Sequence, residues 1–243
     1  VFAGVAWQTW VLLGTASVVL VLFRALGTVA AYNRAFGSLW PGHPWRPALP
    51  NLYWFACSLL GLFAIPWLVG RLGLRLNRAE LGLGLGEWRL GGKLAVLAYA
   101  VMLPFVVGAA MTETFVQHYP LSSFVATQAV SWWRDGSGLL GVVLAHEAGY
   151  ALYFVGWEFF FRGFLTVALA RYIGPVAILV QTLPFALLHV GKPLPEALGS
   201  IVAGVALGAL ALRTRSCWWG VLLHIAVALT MDVLAIAARI WVG

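Results

Sequence analysis

Long apolar runs, broken by short links rich in charged residues, glycine and proline, fill this chain from end to end. Neither the two-residue alternation of a half-buried strand nor the 3.6-residue stripe of a surface helix dominates. Seven runs stand out, at about Val5–Phe23, Leu52–Val69, Leu94–Met111, Leu139–Ala170, Val176–Val190, Glu196–Leu212 and Cys217–Trp241. Most approach the roughly 20 residues a helix needs to cross a hydrocarbon core about 30 Å thick. The pattern predicts an all-α fold, a polytopic transmembrane bundle of about seven spanning helices.

The links sharpen these boundaries. Pro66 predicts a kink in the second run. Gly174-Pro175 breaks the long fourth run from the fifth, and Lys192-Pro193-Leu194-Pro195 turns the chain into the sixth, with Pro195 in its first turn. The tryptophans and prolines of Leu39–Pro47 suit the headgroup region. Thr112–Gly138 is more polar, with Tyr119-Pro120 opening a turn or interfacial segment. Arg71, Arg75, Arg78, Arg89 and Lys93 concentrate positive charge between the second and third runs, which predicts a cytoplasmic link. The Leu81–Gly86 glycine repeat inside it lacks the Lys-Ser/Thr pair of a phosphate loop and reads as interfacial linker. Gly204 and Gly208 make a small-xxx-small face for close helix contact. No internal repeat supports an inverted-repeat transporter.

Composition agrees. The 243 residues are 62% hydrophobic and 9% charged, against about 25% charged in soluble domains. We read residues 1–243 as one integral membrane domain, with a catalytic core at 139–241 and accessory helices and interfacial loops at 1–138. The net charge of +7 is scattered over helix ends, as topology and anionic headgroups require, so the lipid bilayer and not nucleic acid is the expected partner. Cys57 and Cys217 show no metal-type spacing. The first run lacks a basic n-region and a cleavage site and reads as a retained helix.

Against this background the polar residues inside the runs are conspicuous. An ionised side chain at the bilayer centre costs about 2.5–3.5 kcal/mol on insertion scales. Yet Glu147, Glu158, Arg162 and Asp232 lie inside apolar runs, with His146, His189 and His224. Glu158 and Arg162 are one helical turn apart and can pair. Counting about 1.5 Å per residue from the presumed turns places Glu158, His189 and Asp232 in one layer, with His224 roughly 12 Å shallower than Asp232. Glu147 precedes Glu158 by eleven residues, so both carboxylates share one stripe. His146-Glu147 invites a His-Glu-x-x-His reading, but the second histidine would fall on Tyr150. A carboxylate facing an imidazole can activate water, with Glu158 as general base or held in place by Arg162. The histidines can donate to water or an oxyanion. Glu158, His189 and His224 would equally suit zinc, and spacing does not choose between the two chemistries.

Glu158-Phe-Phe-Phe-Arg162-Gly163, then Phe185-Ala-Leu-Leu-His189, then His224 in the last run resembles the three motifs of the CPBP family, the CAAX-prenyl endopeptidases and bacteriocin-processing or immunity proteins. The resemblance covers about Tyr150–Asp232. It implies an intramembrane endopeptidase of the plasma (cytoplasmic or inner) membrane, acting on a membrane-embedded or lipidated peptide, either a CAAX-like tail or a C-terminal sorting segment. It also implies water activated by glutamate and histidine, with no cofactor favoured although a divalent metal such as zinc fits the ligands. The candidate catalytic residues are Glu158, His189, Arg162, His224, Asp232 and Glu147. Two positions depart from the pattern: Trp157 replaces the first of two glutamates, and Ala228 replaces an Asn or Asp. Glu147 and Asp232 are the expected substitutes. The competing readings are a degenerate scaffold or immunity protein, and a proton-coupled transporter.

Overall fold

The computed structural model describes residues 5–242. Its helices are α1 (Trp7–Leu26), α2 (Val29–Phe36), α3 (Leu49–Gly73), α4 (Trp88–Ala110), α5 (Glu113–His118), α6 (Ser123–Asp135), α7 (Leu140–Glu158, continued by Phe159–Ala168), α8 (Ala177–Leu187), α9 (Leu194–Thr214) and α10 (Trp218–Val242). No strand occurs among the described residues. Among the described residues six helical runs are long and apolar enough to cross a membrane, and the fourth, Leu140–Leu187, is bent by Gly174 and Pro175 into the arms α7 and α8. With that bend the expected seven runs each find their helix. The protein is an all-α polytopic membrane bundle.

The continuation of α7 is the hub. Every residue from Phe159 to Ala168 is buried, as a helix apolar on all sides demands. The stretch is wound as a π-helix, and Thr166 Oγ1 donates to the Phe161 carbonyl five residues back at 2.8 Å. Around it pack α1, α3, α8 and α9. Aromatic rings weld α8 to α7 in antiparallel register, Phe161 on Phe185 and Trp157 on both Phe185 and His189. On the next side Gln181 Nε2 donates to the Gly204 carbonyl at 2.7 Å, where the small-xxx-small face brings α9 against α8. α4 is peripheral and packs mainly on α10. Its Val96, Leu97, Val101 and Phe105 point outward, as a lipid-facing helix requires.

One end of the bundle gathers the basic links. Arg171, after α7, pairs with Glu80 at 2.8 Å, and Glu87 N donates to the Thr214 carbonyl at 3.0 Å. The Leu81–Gly86 segment between them is more than surface linker. Leu81 is fully buried, and Gly82 lies against Gly163 of α7 so closely that a Cβ on Gly163 would sit 2.7 Å from the Leu81 carbonyl oxygen. From this re-entrant loop carbonyls accept from the start of α10: Gly82 from Cys217 N at 2.9 Å, Leu83 from Trp218 Nε1 at 3.0 Å and Leu85 from Trp219 Nε1 at 3.2 Å. The first turn of α10 has no intrahelical partners for its N–H groups. Anchoring on the loop instead starts that helix deep in the bundle, at the level of Phe161–Gly163.

At the opposite end the polar stretch before α7 folds into the short helices α5 and α6. Arg239 of α10 donates to the carbonyls of Val116 and Tyr119, and Tyr119 donates to Glu196 at 2.7 Å.

Candidate active site on α7, α8 and α10

The deep start of α10 sets its register against α7. Gly220 faces Glu158, His224 stacks on Phe154 at 4.7 Å between ring centroids, and Asp232 comes level with His146 and Glu147. Each step along α10 is matched by an equal step back along α7, as in any antiparallel helix pair.

Glu158 lies at the centre of the first of these layers and is fully buried. Its Oε1 accepts from Nδ1 of His224 at 2.7 Å, and its Oε2 is 3.3 Å from Nε of Arg162, itself fully buried. Because the carboxylate is an acceptor, His224 carries its proton on Nδ1 and leaves a lone pair on Nε2. The His224 side chain is 19% exposed, so this ring, unlike Glu158, reaches toward accessible space. Gly220 makes the approach possible: a Cβ there would lie 3.1 Å from Cδ of Glu158 and closer still to Oε2. The Arg162 guanidinium sits 4.1 Å above the Phe185 ring, a cation–π contact that partly compensates its removal from water. Its Nη1 and Nη2 hold no hydrogen-bond partner among the described residues.

His189 closes the layer from α8. Its Nδ1 is 2.8 Å from the Phe185 carbonyl one turn back, which makes Nδ1 the donor and leaves Nε2 free. The rings of His189 and His224 both pack on Phe185, at 4.7 and 6.2 Å between centroids. Two imidazoles, each with Nδ1 tied to a fixed acceptor, therefore converge beside one buried carboxylate.

Residues 148–230 match the family model described as type II CAAX prenyl endopeptidase Rce1-like. This part of the chain, about a third of its length, is similar to that family. It takes in Glu158, Arg162, His189 and His224, and the family is one of membrane proteases. No curated protein and no solved structure matches the chain significantly.

Four of the six expected site residues, Glu158, Arg162, His189 and His224, thus meet in one place. Depth counting had set His224 below the Glu158 layer and Asp232 within it, and the structure reverses both. The count started α10 at the membrane surface, whereas the Leu81–Gly86 loop holds its first residues level with Phe161. Asp232 and Glu147 are brought together, but with His146 in a second layer two turns along α10 from His224. The structure thus sets them apart from the layer of Glu158 and His224. The Trp157 position is filled by the indole itself, stacked on Tyr153 and edge-on to His189. Ala228 is a buried apolar residue. Of the alternative set for zinc, Glu158 with His189 and His224, Glu158 turns Oε1 to His224 Nδ1 at 2.7 Å and Oε2 to Arg162 Nε at 3.3 Å. Sequence reading missed Gly220, although its place one turn before His224 was a usable signal, and missed the buried role of Leu81–Gly86.

Proposed function

We propose that this protein is an intramembrane endopeptidase that hydrolyses a peptide bond in a membrane-anchored or membrane-inserting segment, with water activated by the Glu158–His224 pair. The observation that carries this reading is the 2.7 Å contact between Glu158 Oε1 and His224 Nδ1 inside the segment that matches the CAAX prenyl endopeptidase family model. Glu158 is too enclosed to meet a substrate. Its part is to fix the tautomer and orientation of His224 and to stabilise the imidazolium, as the carboxylate does in a Ser-His-Asp triad. Nε2 of His224 takes a proton from water, the hydroxide adds to the scissile carbonyl, and the same proton passes to the leaving amine. His189, whose Nδ1 is tied to the Phe185 carbonyl, presents a free Nε2 that accepts a hydrogen bond from the attacking water and orients it. Arg162, with Nε 3.3 Å from Oε2, holds the Glu158 carboxylate in place.

The basic end of the bundle, with Arg71, Arg75, Arg78, Arg89, Lys93, Arg171, Arg213 and Arg215, is assigned to the cytoplasm. Glu158 faces Gly220, which is five residues and about 8 Å along the chain from Arg215 of that basic end. The test is substrate processing in the native host, read by proteomics as peptide ends present in wild type and lost in Glu158→Gln, His189→Ala and His224→Ala. Unchanged ends in all three variants would support the other reading, a catalytically degenerate scaffold, for which Trp157 and Ala228 are the specific observations.

A further inference from the structure

The second polar layer between α7 and α10 has no part in the chemistry above. His146, Glu147 and Asp232 each offer one nitrogen or oxygen atom within 4.8 Å of the others. His146 and Asp232 are 0% and 1% exposed. Both ring nitrogens of His146 and all four carboxylate oxygens of Glu147 and Asp232 are buried with no hydrogen-bond partner among the described residues. Arg239, one turn or two farther along α10, is committed to the carbonyls of Val116 and Tyr119.

Six unpartnered polar atoms in an apolar setting are costly unless something neutralises and coordinates them. Two carboxylates carry the charge that one divalent cation cancels, and a neutral imidazole adds a borderline-soft donor without further charge. One histidine and two carboxylates is a donor set for a divalent transition metal. Around tetrahedral zinc, bonds of about 2.0–2.2 Å place ligand atoms roughly 3.4 Å apart. The three groups, with one ligand atom each within 4.8 Å of the others, need to close by roughly 1.4 Å to reach that spacing.

We propose that His146, Glu147 and Asp232 form a site for a divalent transition metal of the zinc class, which pins α7 to α10 about 12 Å from His224. The metal is structural in this arrangement. By clamping the two helices two turns from the reacting layer, it holds the register on which the Glu158–His224 contact depends. The site stands apart from the protease reading, because it uses none of the residues that reading needs.

The test measures metal, not proteolysis. The full-length chain is purified in detergent without a histidine tag, stripped with chelator and equilibrated with zinc chloride. Bound zinc is counted by elemental mass spectrometry, and melting temperature is followed with and without zinc. Wild type is expected to hold about one equivalent and to melt higher with zinc. Asp232→Asn and Glu147→Gln, which keep the side-chain shapes, should lose both the zinc and the zinc-dependent rise while still folding in its absence. His189→Ala and His224→Ala should keep both. A wild type that takes up no zinc would overturn the site. Zinc lost from the His189 or His224 variants, but kept by Asp232→Asn, would overturn it as well.

Discussion

Gly220→Ala is the sharpest perturbation of the Glu158–His224 pair, because it adds one methyl group and removes no polar atom. The new Cβ would lie 3.1 Å from Cδ of Glu158 and nearer to Oε2 than the 3.0 Å limit that real Cβ atoms essentially never cross. The Cys217 N–H and the indoles of Trp218 and Trp219, bonded to carbonyls of the Leu81–Gly86 loop, keep α10 from backing away, so the carboxylate must retreat by roughly 1 Å. His224 lies on α10 one turn beyond Gly220, and any retreat from one is a retreat from the other. The 2.7 Å contact then opens past hydrogen-bonding range. Overpacking costs about 1–3 kcal/mol and the lost charge-assisted bond about 1.5–3, while replacing glycine in a helix returns up to about 1. The expected net destabilisation is about 1.5–5 kcal/mol, a fall in melting temperature of about 3–20 °C for a chain of this size. With its base misoriented, processing should drop by about 10²–10⁴-fold. The assay pairs melting in detergent with proteomic processing in the host. Gly199→Ala is the control, since a Cβ there meets nothing within 4 Å. A Gly220→Ala protein that melts like wild type and processes at full rate would refute the claim that this contact organises the site.

Glu158→Gln leaves Arg162 buried without a counter-charge and should cost about 3–5 kcal/mol, whereas the double variant Glu158→Gln with Arg162→Met should recover most of that stability and none of the processing; melting curves of the two proteins separate charge burial from catalysis. Gly86→Ala places a side chain on backbone at φ +53 and into the Thr214 carbonyl, whose carbon would be 3.0 Å away. It should therefore destabilise by more than about 1 kcal/mol and expose the basic link to limited proteolysis. Burial holds the pKa of His118, in the short helix α5 outside the spans, below its ordinary 6.5. Its unfolded form binds a proton first as pH falls, so stability should decline below about pH 6.5, and the decline should be shallower in His118→Gln.

Much of this architecture is written locally. Runs of about 20 apolar residues fix helices because a bilayer leaves backbone groups no other partners, and Gly174-Pro175 and Pro193–Pro195 mark turns whatever surrounds them. The Glu158–Arg162 pair follows from helical spacing, and the motif residues His189 and His224 were readable as polar groups stranded in apolar runs. Spacing along one helix, however, carries no information on where that helix begins in depth. That was decided by Leu81–Gly86, whose glycines let the loop enter the bundle against Gly163 and cap α10 through Cys217 and the two tryptophans. The deep cap moved His224 up to Glu158 and carried Asp232 away to His146 and Glu147. The sequence alone determined which residues are embedded and on which helices. Only the tertiary structure decided which of them meet, because helix register is set by contacts between segments more than 100 residues apart.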